Sequence, residues 1–80
     1  GGYSEYYFLR VFKKVMRMTP YEYLIHKRLS QVKILLLSTG KTVEEIALEC
    51  GFKSDISLYK AFKNIYSITP GEYKKCVGRG

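Results

Sequence analysis

The sequence has no tryptophan, only two cysteines and two prolines, a single histidine, and half as many acidic as basic side chains. Cys50 and Cys76 are too few for a disulfide scaffold, and with His26 as the lone histidine they form no zinc-ligand set. Apolar runs are short: the longest aliphatic stretch is Ile34 to Leu37, far below the ~20 residues a membrane span requires. The N-terminus lacks the basic-then-apolar pattern of an export signal, so a cytoplasmic location and no membrane-spanning segment are expected. The β-branched residues are scattered and strict alternation is absent, which leaves no strand in the expected architecture. No nucleophile, base and orienting group fall into a catalytic pattern, so the chain is not read as an enzyme and no metal or other cofactor is assigned.

What is present is one small domain's worth of chain, 80 residues with 46% hydrophobic composition and a formal net charge of +7. Such a basic balance implies a polyanionic partner, nucleic acid or an acidic membrane surface. The charge is uneven: residues 1–40 carry seven basic and two acidic groups, whereas residues 41–80 carry seven and five, with Glu44, Glu45 and Glu49 clustered apart from basic neighbours.

An internal repeat with an offset of 50 organises the chain. Ser4, Phe12-Lys13, Thr19-Pro20 and Glu22-Tyr23 recur as Ser54, Phe62-Lys63, Thr69-Pro70 and Glu72-Tyr73, and Gly1 recurs as Gly51. Each Thr-Pro-x-Glu has the chemistry of a helix start: Thr accepts a backbone N–H, Pro gives up a donor that lacks a helical partner, and Glu closes the capping box. Thr42 to Glu45 repeats the box, Ser4 and Ser54 are further N-caps, and Gly40 and Gly51 are expected left-handed stops. The predicted helices span about 4–16, 20–38, 43–50, 54–66 and 70–76. Apolar stripes support them: Ile25, Leu29, Val32 and Leu36 on the second, Phe8, Phe12 and Val15 on the first, Leu58, Phe62 and Ile65 on the fourth. Phe8, Phe12, Phe52, Phe62, Tyr23 and Tyr73 are accordingly read as core, while Asp55, Ile56, Tyr59, Lys60 and Lys63 lie on other faces.

Residues 42–66 read as a short helix, a turn at Gly51 and a longer helix, the spacing of a helix-turn-helix. Ile46-Ala47, Cys50-Gly51-Phe52, Leu58, Ala61-Phe62-Lys63 and Thr69-Pro70-x-Glu72-Tyr73 together resemble the C-terminal DNA-binding domain of bacterial AraC-type (AraC/XylS) transcription regulators. Ser4, Tyr7-Phe8-x-Arg10-x-Phe12-Lys13, Thr19-Pro20-x-Glu22-Tyr23-Leu24, Arg28-Leu29 and Leu35-Leu36 resemble that family's first recognition helix and long connecting helix. The resemblance implies an all-α fold of two helix-turn-helix units with homeodomain-like three-helix subdomains. Residues 1–19 would be the remnant of the first unit, 20–38 the linker helix, 42–76 the second unit and 77–80 a loose tail. It further implies that the family's first two helices, and its effector-binding or receiver domain, are absent from this chain. Phe8 and Phe12 would then lie uncovered, and self-association or a mobile first helix is expected.

The implied function is sequence-specific binding of double-stranded DNA, with RNA polymerase as a protein partner of the regulator. A connecting helix of about 18 residues is roughly 27 Å long at ~1.5 Å per residue, comparable with the ~34 Å between successive major grooves. Carried over by position, Tyr6, Leu9 and Arg10 of the first unit and Asp55, Ile56, Ser57, Tyr59 and Lys60 of the second would face bases. Arg10 suits bidentate contact with guanine, and the apolar Leu9 and Ile56 suit thymine methyls. Ser4, Lys13, Lys14, Lys27, Lys53, Ser54 and Lys63 would contact phosphate. Tyr6 and Tyr59 read equally as ordinary exposed rings, and Arg28 either touches DNA or pairs with a glutamate of the short helix. The alternative function is a helical protein-interaction module without DNA-binding activity.

Overall fold

Three short sequence strings, each a threonine followed three residues later by glutamate, start three of the five helices. The computed structural model describes residues 4–78, in which α1 spans Glu5–Met16, α2 Pro20–Ser38, α3 Val43–Glu49, α4 Asp55–Tyr66 and α5 Pro70–Val77. Gly1, the expected counterpart of Gly51, and Arg79 and Gly80 of the expected tail lie outside the described residues. Thr19, Thr42 and Thr69 cap α2, α3 and α5 through complete boxes, and Ser4 and Ser54 cap α1 and α4. Among the described residues there is no strand, and no helix is long and apolar enough to cross a membrane.

α2 packs against each of the other four helices. Its Ile25, Leu29, Val32 and Leu36 are buried, and they meet Ile46 and Ala47 of α3, Phe52 of the turn, and Leu58 and Phe62 of α4 in one apolar cluster. Every member of this core lies at or beyond residue 25; α1 contributes none.

The sequence repeat is also a structural one. α1 and α4 are both 12 residues long and serine-capped, and both end at a left-handed residue, Arg17 at φ 64° and Ser67 at φ 66°. The Phe12 and Tyr23 rings meet edge-on with centroids 5.7 Å apart, as do Phe62 and Tyr73, also at 5.7 Å.

Burial breaks this symmetry and corrects two expectations. Phe8 is 55% exposed while its counterpart Leu58 is 0% exposed, and Val15 is 71% exposed. Phe12 is half-buried, so α1's apolar stripe is not core, and Tyr23 at the start of α2 is exposed. The cause is local: α3 packs on α4 with Ile46 and Ala47, whereas among the described residues α1 packs mainly on α2. Gly40 is not a left-handed stop; α2 ends at extended Thr39, whose hydroxyl donates to the Leu35 carbonyl at 2.7 Å.

Gly51 is left-handed, with φ 93°. Around it the Phe52 N–H donates to the Ala47 carbonyl at 2.8 Å and the Gly51 N–H to the Leu48 carbonyl at 3.3 Å. Those two bonds form a Schellman closure, and Phe52 and Ala47 are both buried beneath it. α3, this turn and α4 are therefore set rigidly as a helix-turn-helix.

Candidate nucleic-acid interface

Once Leu58 and Phe62 point inward, helical geometry decides what α4 shows outward. Ile56, Tyr59, Lys60 and Lys63 are all exposed. Asp55 and Ser57 are half-buried and engaged at the helix start: the Asp55 carboxylate accepts from the Ile56 N–H at 2.9 Å, and the Ser57 N–H donates to Ser54 Oγ at 3.3 Å. A carboxylate in the first turn is stabilised by the positive end of the helix dipole, which gives Asp55 a local role.

On α1, Tyr6, Leu9 and Arg10 share an exposed surface, with Tyr6 70% exposed. The Arg10 guanidinium lies 5.8 Å from the Tyr6 ring centroid. The contact links positions i and i+4 of one helix and leaves the guanidinium in solvent, so its planar donors remain available for a bidentate acceptor. Beside them a shallow hollow of about 250 Å³ is lined by Tyr7, Arg10, Val11 and Lys14.

The remaining basic candidates are distributed around the ends of these helices. Lys13 and Lys14 lie in the last turn of α1 and Lys63 in that of α4. All three are exposed, as is Lys53, which precedes the Ser54 cap. Lys27 is exposed on α2, with Nζ 5.7 Å from the Tyr23 ring centroid. The hydroxyls of Ser4 and Ser54 accept the N–H groups of Tyr7 and Ser57 at 3.2 and 3.3 Å, so both serve their own helices as caps.

One charge expectation is corrected and one alternative is removed. The glutamates of α3 do have a basic neighbour, because Lys41 pairs with Glu49. That bond, with Glu45 adding, raises the Lys41 pKa above its ordinary value. Arg28 makes no ion pair among the described residues; it lies half-buried with its guanidinium against Gly51. The Cys50 thiol, half-buried beside the turn, is pushed up by desolvation and then by Glu49.

Sequence reasoning missed a groove of about 620 Å³ between the first half of α2 and α4, where Tyr21, His26 and Asn64 join Lys60. Ser57, Lys60 and Asn64 form its wall at helical spacing. That row is readable in the sequence; the packing of α2 that makes it one side of a groove is not.

A family model described as a helix-turn-helix domain matches residues 2–75. The chain is 40% identical over 75 residues to the TetD protein of transposon Tn10 from Escherichia coli, covering 94% of this chain and 54% of that protein. It thus spans about half the length of that curated relative. Among solved structures, an AraC-type transcriptional regulator from Chromobacterium violaceum is similar at TM-score 0.83 and 32% identity, over 92% of this chain and 66% of the other. The DNA-binding domain of the transcription factor AdpA, solved in complex with a target DNA, is similar at TM-score 0.84 and 29% identity, over 94% and 68%.

Proposed function

We propose that this chain, which belongs to the AraC-type helix-turn-helix family of transcription regulators, reads double-stranded DNA by placing α1 and α4 in successive major grooves. The observation that carries this reading is the duplicated 12-residue, serine-capped helix, once with Arg10 and once with Lys60 on its exposed face. The 19-residue α2 joins the two copies. At ~1.5 Å per residue it spans roughly 29 Å, against ~34 Å for one helical turn of DNA. In this reading residues 4–19 are the first reading unit, 20–38 the linker and 42–76 the second unit. Arg10 contacts guanine, Leu9 and Ile56 meet thymine methyls, and Tyr6, Tyr59, Lys60 and the Asp55-Ser57 start of α4 meet bases or adjacent backbone. Lys13, Lys14, Lys27, Lys53 and Lys63, with the α1 and α4 N-termini at Ser4 and Ser54, hold phosphates. The DNA-bound AdpA domain, similar over 94% of this chain, supports the placement.

The test is fluorescence anisotropy with a random-sequence duplex pool, followed by sequencing of the retained fraction. Enrichment of a motif is expected, with binding abolished when Arg10, Lys60 and Lys63 are replaced together by Ala. Binding indifferent to that triple change, or absent at low salt, sinks the reading and favours a protein-interaction module that meets RNA polymerase or another acidic partner. A second reading concerns assembly: Phe8 and Val15 leave an apolar face on α1 open, which favours self-association. Light scattering across concentration, with Phe8→Ser as comparison, decides this; a monomer at every concentration refutes it.

A further inference from the structure

The basic side chains of α2 separate into two kinds. Lys27 turns back over Tyr23 of its own helix, but Lys33 leaves α2: its Nζ lies 4.5 Å from the ring centroid of Tyr66, the last residue of α4. Both Lys33 and Tyr66 are half-buried. Tyr66 in turn meets the fully buried Phe62 edge-on, with centroids 4.7 Å apart. At the other end of the unit, Arg28 lies half-buried on the turn before α4, where a Cβ on Gly51 would stand 2.9 Å from its Nε. Neither cation has a hydrogen bond or ion pair among the described residues.

We infer that Lys33 and Arg28 are positioning residues for the second recognition helix: Lys33 braces the end of α4 through the Tyr66 ring, and Arg28 braces the turn that leads into it. The inference rests on the DNA-binding reading and deepens it. By charge alone these two cations suit phosphate; by geometry they hold protein. A cation over a partly desolvated ring is attracted by the ring's quadrupole, and the lysine stem packs along apolar surface on the way. The distinction matters because the two parts of DNA recognition tolerate error differently. Base-edge hydrogen bonds weaken steeply once distance and angle drift, whereas attraction to phosphate decays over a Debye length of ~8–10 Å. A loosened α4 therefore loses discrimination between sequences and retains its general affinity and salt response.

Anisotropy measured with a duplex selected by the wild-type chain and with a random-sequence duplex, each at several salt concentrations, tests this. Lys33→Met keeps the stem and removes the charge, Tyr66→Leu attacks the contact from the other side, and Lys33→Arg keeps a cation over the ring. The first two, and Arg28→Gln, should reduce the selected-to-random affinity ratio roughly fivefold, with the slope of log K against log salt unchanged; Lys33→Arg should preserve the ratio. A slope shallower by ~0.9 in Lys33→Met would make Lys33 a phosphate contact and overturn the inference. An unchanged ratio in both Lys33→Met and Tyr66→Leu overturns it as well. If the wild-type chain selects no duplex, the DNA-binding reading itself fails, and the two failures are thereby told apart.

Discussion

Gly40 and Gly51 look alike as helix stops in the sequence, yet only Gly51 takes a left-handed backbone, at φ 93°. A side chain there meets a strained conformation and the Arg28 guanidinium at 2.9 Å, whereas a Cβ on Gly40 meets nothing within 4 Å. Gly51→Ala is expected to lower stability by about 1–3 kcal/mol, and Gly40→Ala to raise it by about 0.4–1 kcal/mol through the unfolded state; urea unfolding of both variants checks this. The difference was not legible because Thr39, one residue earlier, ends α2 in an extended conformation with its own hydroxyl on the Leu35 carbonyl. The left-handed stops at Arg17 and Ser67 escaped for the converse reason: neither is glycine, and residue type alone does not flag them. Their spacing of 50 would have linked them had either been known.

Among the elements, capping was the most legible feature, since Thr and Glu three apart determine a bonding pattern by themselves. In α3 and α5 the Thr42 and Thr69 N–H groups donate to Glu45 and Glu72 at 3.0 and 2.9 Å. Those backbone bonds first, and the threonine hydroxyls next, hold both carboxyls below their ordinary value; Lys63 adds to the effect on Glu72 and Lys41 to that on Glu45. A carboxylate with a depressed folded pKa stabilises above its unfolded value and loses that contribution as pH falls through the folded one. Helicity near neutral pH should thus decline on acidification below the ordinary carboxylate range, and the double variant E45Q/E72Q should show a smaller acid-dependent drop, read by circular dichroism melts from pH 7 to 3. Lys41 runs oppositely: its pair with Glu49 contributes below the ordinary lysine pKa and fades as pH rises through the raised one. The apolar stripes were only half legible. Periodicity tells which face of a helix is apolar, and on α2 that face is buried throughout; on α1 the same signal at Phe8 and Val15 faces solvent, because no sequence window reports whether a covering helix is there.

Across the whole molecule, the radius of gyration is 15.2 Å and the extents are 50 × 23 × 19 Å. A compact chain of this length would have a radius near ~12 Å, so the protein is a rod with its mass of core at one end. Charge and reach then combine: with four to six phosphates neutralised along the rod, log K against log salt should fall with a slope of roughly −4 to −5. A flat response in anisotropy titrations would contradict the assignment of the lysines. The base-reading assignments were legible only as positions on a helix; that Asp55 and Ser57 are engaged in starting α4, and that Lys60 shares a groove with Tyr21, needed the packed structure. The left-handed residue at Arg17 has one more effect. It places an exposed arginine in the non-helical link between α1, which contributes no core residue, and α2, which organises the entire core. Trypsin added under native conditions should make its first nick after Arg17, and the larger product, still holding all nine core side chains, should resist further digestion as the parent does.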